Sequence, residues 1–263
     1  MLDLVTAVRF DGRVRTGKTM PIHLACEASA REEVEVVAKL SASCEGGVGS
    51  LVAEAMAALL AADLDLPVPQ PFVVRLDADF CATIPDPEIA SLARRSSPIA
   101  FGSEKLPPGY TTWPVGKTIP REAVNEAAEV FAFDALIANA DRRTNNPNCL
   151  FLGPRLAIID HELAFITEGV IGWRPPWEVG ALDALRRPQS HLFSEQLRGK
   201  AINLDRLEGA WSAITDARLS IYRRALPIEW NSAMKSADNA LSHIAAVRDN
   251  LKPALQEIAR VLQ

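Results

Sequence analysis

Between residues 139 and 162 the chain reads Asn139-Ala140-Asp141-Arg142-Arg143-Thr144-Asn145-Asn146-Pro147-Asn148-Cys149-Leu150 and, after a short hairpin, Ile158-Ile159-Asp160-His161-Glu162. Two carboxylates, Asp141 and Asp160, flank a predicted strand pair, and Asn146 stands five positions after the first. Phosphoryl transfer asks for such a set: one aspartate orients the attacking hydroxyl, while an amide and a second carboxylate offer hard oxygens to magnesium. The same run also suits an Asx-rich turn joining a helix to a hairpin, and spacing alone leaves both readings open.

Further upstream, Val36-Val37-Ala38-Lys39-Leu40 sets a lysine in an apolar strand. A lysine in that setting holds the α- and β-phosphates in kinases, although a strand-edge lysine reaching solvent reads the same way. Glu54 has Leu51, Ala57 and Ala58 as helical neighbours, which puts it on a small-residue face. A carboxylate buried there is costly without a cation, and Lys39 is the expected partner. The group Trp173, Pro175, Pro176 and Trp177 follows the second aspartate and reads as a packed loop.

The elements that must position these groups follow from hydrophobic period and turn chemistry. Residues 4–10, 21–26 and 34–40 alternate as strands, punctuated by Asp11-Gly12 and Thr16-Gly17, and predict a small antiparallel sheet. Ser50 offers an N-cap to a helix over 51–64, which stops before Pro67-Val68-Pro69. Strands over 71–76 and 98–102 follow, with a polar connection containing Pro85 and Pro87. Pro107-Pro108-Gly109 and Trp113-Pro114 mark a lobe boundary. A helix over 121–139 then has Val124, Ala128, Phe131 and Leu136 on its buried face and Glu122, Glu126 and Glu129 on its polar side. After the strands over 149–152 and 156–159 the pattern is mostly helical, and Pro253 is expected to bend or break the last helix.

Composition excludes several classes. The chain has 263 residues, enough for one large domain or two packed lobes without disulfides or metals. A net charge of −5 lacks the basic excess of a nucleic-acid coat, so no nucleic-acid partner is expected. Four scattered cysteines and four histidines, none at i, i+4 spacing, offer no zinc or redox site and predict reduced, buried thiols. Charges interrupt every apolar stretch near the start, and no run reaches membrane-spanning length, so a soluble cytoplasmic protein with no membrane partner is expected.

The order and wording of these motifs resemble the HipA-like kinases, a bacterial branch of the protein-kinase-like superfamily. The resemblance runs from about Thr16 to Phe165 and rests on Asp141 to Leu150 and on Ile159-Asp160-His161, supported by Lys39, by Glu54 with Leu66-Pro67-Val68-Pro69, and by Phe101-Gly102-Ser103. It implies an α+β bilobal protein-kinase-like fold. Residues 1–106 would form a nucleotide-binding N-lobe, a small antiparallel sheet with one helix, and residues 107–263 a mostly helical C-lobe. It implies an ATP- and Mg2+-dependent phosphotransferase moving the γ-phosphate to a hydroxyl acceptor, expected on a protein. Asp141 would be the catalytic base, Asn146 and Asp160 the metal ligands with Asn148 the alternative amide, and Lys39 paired with Glu54 would fix the phosphates. Main-chain groups of Ser103, Glu104 and Lys105 would meet adenine. Two departures stand out: Thr16-Gly17-Lys18-Thr19 carries a single glycine, and Glu162 replaces the glycine common after Asp-His. Two rival readings remain, transfer of AMP from reversed ATP and a nucleotide-binding pseudokinase that regulates a partner.

Overall fold

A computed structural model describes residues 2–14, 19–28 and 32–263. Thr16, Gly17 and Lys18 of the expected phosphate loop lie outside the described residues. The chain divides into two compact units: Met1–Leu59, Pro69–Pro107 and Ser220–Asp238 make the first, and Leu60–Val68, Pro108–Leu219 and Asn239–Gln263 the second.

In the first unit, β1 (Asp3–Arg13), β2 (Ile22–Glu27) and β3 (Glu33–Lys39) pair antiparallel in sequence order. The period-two pattern turns Val5, Ala7, Ile22, Leu24, Val36 and Ala38 into the core, while Leu4 and Val8 face outward. Helix α1 (Val48–Asp63) then carries the chain across, so that β4 (Pro71–Arg75) runs parallel to β1 and antiparallel to β5 (Ile99–Glu104). Since β5 also pairs with β3, the five strands close into a barrel in the order β1-β2-β3-β5-β4. The expected antiparallel sheet with one helix is therefore corrected. One parallel pair seals the sheet, and register shifts in β1 after Ala7 and Phe10 supply local curvature for closure. Gly102 is required at the narrow interior, because a Cβ there would stand 2.5 Å from Val36 Cγ1 and 2.7 Å from Val74 Cγ2.

Two further helices, α2 (Ala78–Thr83) and α3 (Pro87–Arg95), occupy the polar connection between β4 and β5. Pro87 is not a breaker but a first-turn residue, and the Asp86 side chain caps α3 by accepting from the N–H groups of Glu88 and Ile89. Ile89, Leu92 and Ala93 join the barrel core. From the chain's late return, fully buried Trp230 donates its indole N–H to Ile99 O at 2.9 Å.

In the second unit a three-stranded sheet, β6 (Thr111–Thr112), β7 (Cys149–Leu152) and β8 (Arg155–Ile158), accompanies the helices. Helix α4 (Val124–Leu136) follows a 3-10 turn at Arg121–Ala123 and is shorter than expected. It ends where Ala138 takes the left-handed conformation (φ +56°) and the Asn139 N–H returns to Asp134 O. Its supposed polar side is partly interior: Glu129 is buried against Arg206, and burial raises the Glu126 carboxyl above the usual range. A 3-10 turn at Asp183–Arg186 and three α-helices follow, α5 (Ser194–Leu197), α6 (Asp205–Ser212) and α7 (Asp216–Ala225). Helices α8 (Met234–Asp249) and α9 (Leu251–Leu262) meet at Asn250. The break precedes Pro253 because a proline fits the first turn of α9, where its missing N–H has no intrahelical partner.

All four cysteines are buried. Among the described residues, no helix is long and apolar enough to cross a membrane.

Candidate active site

The two units each gather part of the expected set. In the first, Lys39 at the end of β3 pairs with Glu54 on α1, and both side chains are buried. The strand supplies the lysine and the small-residue face of α1 supplies the carboxylate, so each ion satisfies the other away from bulk water.

At the end of β5 two of the main-chain donors named for adenine already have partners. Ser103 pairs in register with both Val37 and Pro71, the Glu104 N–H is donated to Gln70 O at 2.8 Å, and the Lys105 N–H to Glu35 O at 2.9 Å. The Lys105 ammonium reaches Glu35 at 2.7 Å. The N–H groups of Glu104 and Lys105 thus extend the barrel ladder instead of presenting donors to a base. Leu106 carries the next N–H before Pro107 and Pro108.

In the second unit the turn after α4 brings Asp141, Asn146 and Asn148 together. Arg143 and Asn146 exchange main-chain bonds of 2.9 and 3.1 Å, closing the turn. The Asn146 side-chain amide donates to Asp141 Oδ2 at 2.7 Å and the Asn148 amide to the same oxygen at 3.2 Å. Both amides end on Oδ2. Asn146 is exposed, whereas Asn148 is buried. Asp160 follows β8 in the left-handed conformation (φ +62°), and the Ile159 N–H before it bonds to Asn148 O at 3.1 Å.

Beneath this turn lies a buried polar network that the motif reading missed. Arg142 and Asp134 have side chains 0% and 1% exposed and form an ion pair at 2.6 Å. Burial alone would raise the Asp134 carboxyl, but Arg142 and His191 hold it well below the usual range. Asp134 also accepts from Asn139 Nδ2 at 2.7 Å, and Asn139 Oδ1 accepts the Asp141 N–H at 3.3 Å. His191 Nε2 lies 3.0 Å from Asp134, while its Nδ1 accepts the Phe193 N–H at 3.1 Å. These two bonds select the neutral ring with its proton on Nε2. Burial pushes the ring's pKa down in the same sense. A guanidinium only donates, so His161 Nε2, 2.9 Å from Arg142, acts as the acceptor.

A family model described as HipA-like kinase matches residues 8–257, nearly the whole chain. The chain belongs to the HipA-like kinase family. Its function is therefore that of a kinase-like phosphotransferase in the general sense, and the fold is mixed α and β. Among solved structures, this HipA-like kinase is similar to a Helicobacter pylori proinflammatory kinase, CtkA, at 13% identity, with 96% of each chain covered and a TM-score of 0.46. No curated protein matches it significantly by sequence.

Proposed function

We propose that this HipA-like kinase transfers the γ-phosphate of ATP, with Mg2+, to a hydroxyl on a protein acceptor. The observation that carries this reading is the Asp141 carboxylate, held through one oxygen by two amides in a closed turn. Fixed this way, Oδ1 orients the acceptor hydroxyl and takes its proton as the new P–O bond forms.

The donor set fits magnesium, which prefers hard oxygens and retains waters. With its Nδ2 bonded to Asp141, exposed Asn146 presents its Oδ1, and Asp160 offers a carboxylate. Asn148, more buried, is the lesser candidate. Bound Mg2+ would neutralise charge on the phosphate oxygens during transfer. Lys39, its ammonium positioned by Glu54, binds the α- and β-phosphates. Four scattered, buried cysteines suit work in a reducing, cytoplasmic setting.

Incubation with Mg2+ and ATP labelled at either the γ- or the α-phosphate tests the proposal, read by ADP formation and by mass spectrometry of the protein and of added lysate proteins. Transfer of the γ-label is expected. Transfer of the α-label assigns AMP transfer instead, and ATP binding with neither product assigns a regulatory pseudokinase.

A further inference from the structure

We propose that Arg142 is a positioning residue for phosphoryl transfer: one guanidinium clamps the carbonyls of Asn148 and Ile159 and so sets the Asp141 turn against Asp160. Its catalytic meaning rests on the function proposed above, whereas the clamp itself stands on geometry.

Every donor of the side chain is committed. Nε donates to Asp134 Oδ2 at 2.6 Å, and Nη2 reaches Asp134 Oδ1 at 3.3 Å and His161 Nε2 at 2.9 Å. Nη1 donates to Asn148 O and to Ile159 O, the latter at 3.2 Å. An ion pair serving the core alone needs only Asp134. Here the remaining half of the fork faces the backbone of the segments that carry the site.

Those carbonyls sit where the backbone most needs support. Asn148 has φ +42° and Asp160 has φ +62°, both left-handed without being glycine. Such a conformation is disfavoured for most side chains, less so for Asn and Asp, and persists only where the surroundings hold it. Nη1 fixes the carbonyl of Asn148 itself and the carbonyl of the peptide that leads into Asp160. The Ile159 N–H bond to Asn148 O joins the same two segments at 3.1 Å. The main chain of Arg142 is pinned in turn, because its carbonyl accepts the Leu192 N–H at 3.0 Å. A lysine keeps the charge opposite Asp134 but, with a single nitrogen, cannot also reach both carbonyls and His161.

Arg142→Lys tests this against His243→Ala, a buried-site control whose ring nitrogen bonds Leu136 O and touches no part of the clamp. Without any ligand, hydrogen exchange at the Ile159 amide should accelerate in Arg142→Lys and not in the control, compared at equal distance below each Tm. In turnover, Arg142→Lys should raise the Mg2+ needed for half-maximal rate and lower kcat by about tenfold or more, with KM for ATP at saturating Mg2+ within about threefold. If Arg142→Lys does not fold, the charge-neutral double variant Arg142→Gln/Asp134→Asn leaves no lone buried ion and must show the same pattern. Unchanged exchange at Ile159 overturns the clamp whether or not the parent turns over. Accelerated exchange with an unchanged Mg2+ requirement in an active parent overturns the positioning role. If the parent makes no product, the phosphotransfer reading fails by itself, and Mg2+ calorimetry on parent and variant then decides the clamp's effect on the metal loop.

Discussion

Lys39 and Glu54 form an ion pair in the first unit with side chains only 10% and 3% exposed. Removing one partner of such a pair leaves the other as a buried lone charge, at a cost of about 3–5 kcal/mol. Lys39→Met is therefore expected to lower Tm by several degrees and to weaken ATP binding. Lys39→Met/Glu54→Gln should recover much of the stability and none of the affinity, because in the proposed function only the lysine serves the phosphates. Thermal melts and nucleotide titrations on the three proteins separate the two effects. Recovery of ATP affinity in the double variant would remove Lys39 from the nucleotide site.

The Asp134 network predicts an acid-sensitive fold. Burial pushes His191 below its ordinary value of 6.5. The unfolded chain then takes up a proton first, and stability falls as pH drops below about 6.5. Protonation would also break the Phe193 N–H bond to Nδ1. Asp134 acts at lower pH: its depressed carboxyl contributes stability above the unfolded value of 3.8, which is lost as pH falls further through the folded value. His191→Gln keeps a donor for Asp134 but cannot titrate. Its Tm should fall less than the parent's between pH 8 and pH 5, with a residual slope from His243, also depressed by burial. Equal slopes would show that His191 does not carry the effect.

The parts legible in the sequence were those with a local signature. Lys39 and Glu54 follow from asking what could neutralise a carboxylate among alanines, whereas Asp141, Asn146 and Asp160 stand out only when their spacing is joined to the motif's resemblance to HipA-like kinases. Asp134 carried the same signal, a carboxylate within Val130-Phe131-Ala132-Phe133-Asp134-Ala135-Leu136-Ile137. Applied there, the argument would have demanded a buried cation and pointed to Arg142. His191 had no such signal, since it meets Asp134 only through tertiary packing. Barrel closure was equally hidden, because parallel pairing of β1 with β4 depends on where the α1 crossover lands and not on any residue in either strand. The helices over 78–95 are obscured by Pro85 and Pro87, whose place at a helix start shows only once Asp86 is seen as a cap.

Asp160→Asn tests the metal assignment with little structural disturbance, because asparagine tolerates the left-handed backbone that Asp160 adopts. ATP affinity in Mg2+ should fall towards the value measured in EDTA, while affinity in EDTA itself stays unchanged. Calorimetry under both conditions measures the difference. An intact Mg2+ dependence would move the ligand role to another carboxylate, with Glu162 the first to substitute.

Asp141→Asn separates chemistry from binding. The carbonyl oxygen of the new amide can still accept from Asn146 and Asn148, which keeps the turn closed. What is lost is the charge that, in the proposed function, orients the acceptor hydroxyl and takes its proton, an effect realised mainly in the transition state. Turnover should drop by about 10²–10⁴-fold, the usual contribution of a general base, with ATP affinity within about threefold of the parent. Single-turnover assays paired with nucleotide titrations measure both. Loss of ATP affinity in step with activity would place Asp141 on the nucleotide or its metal, and undiminished turnover would remove it from the mechanism.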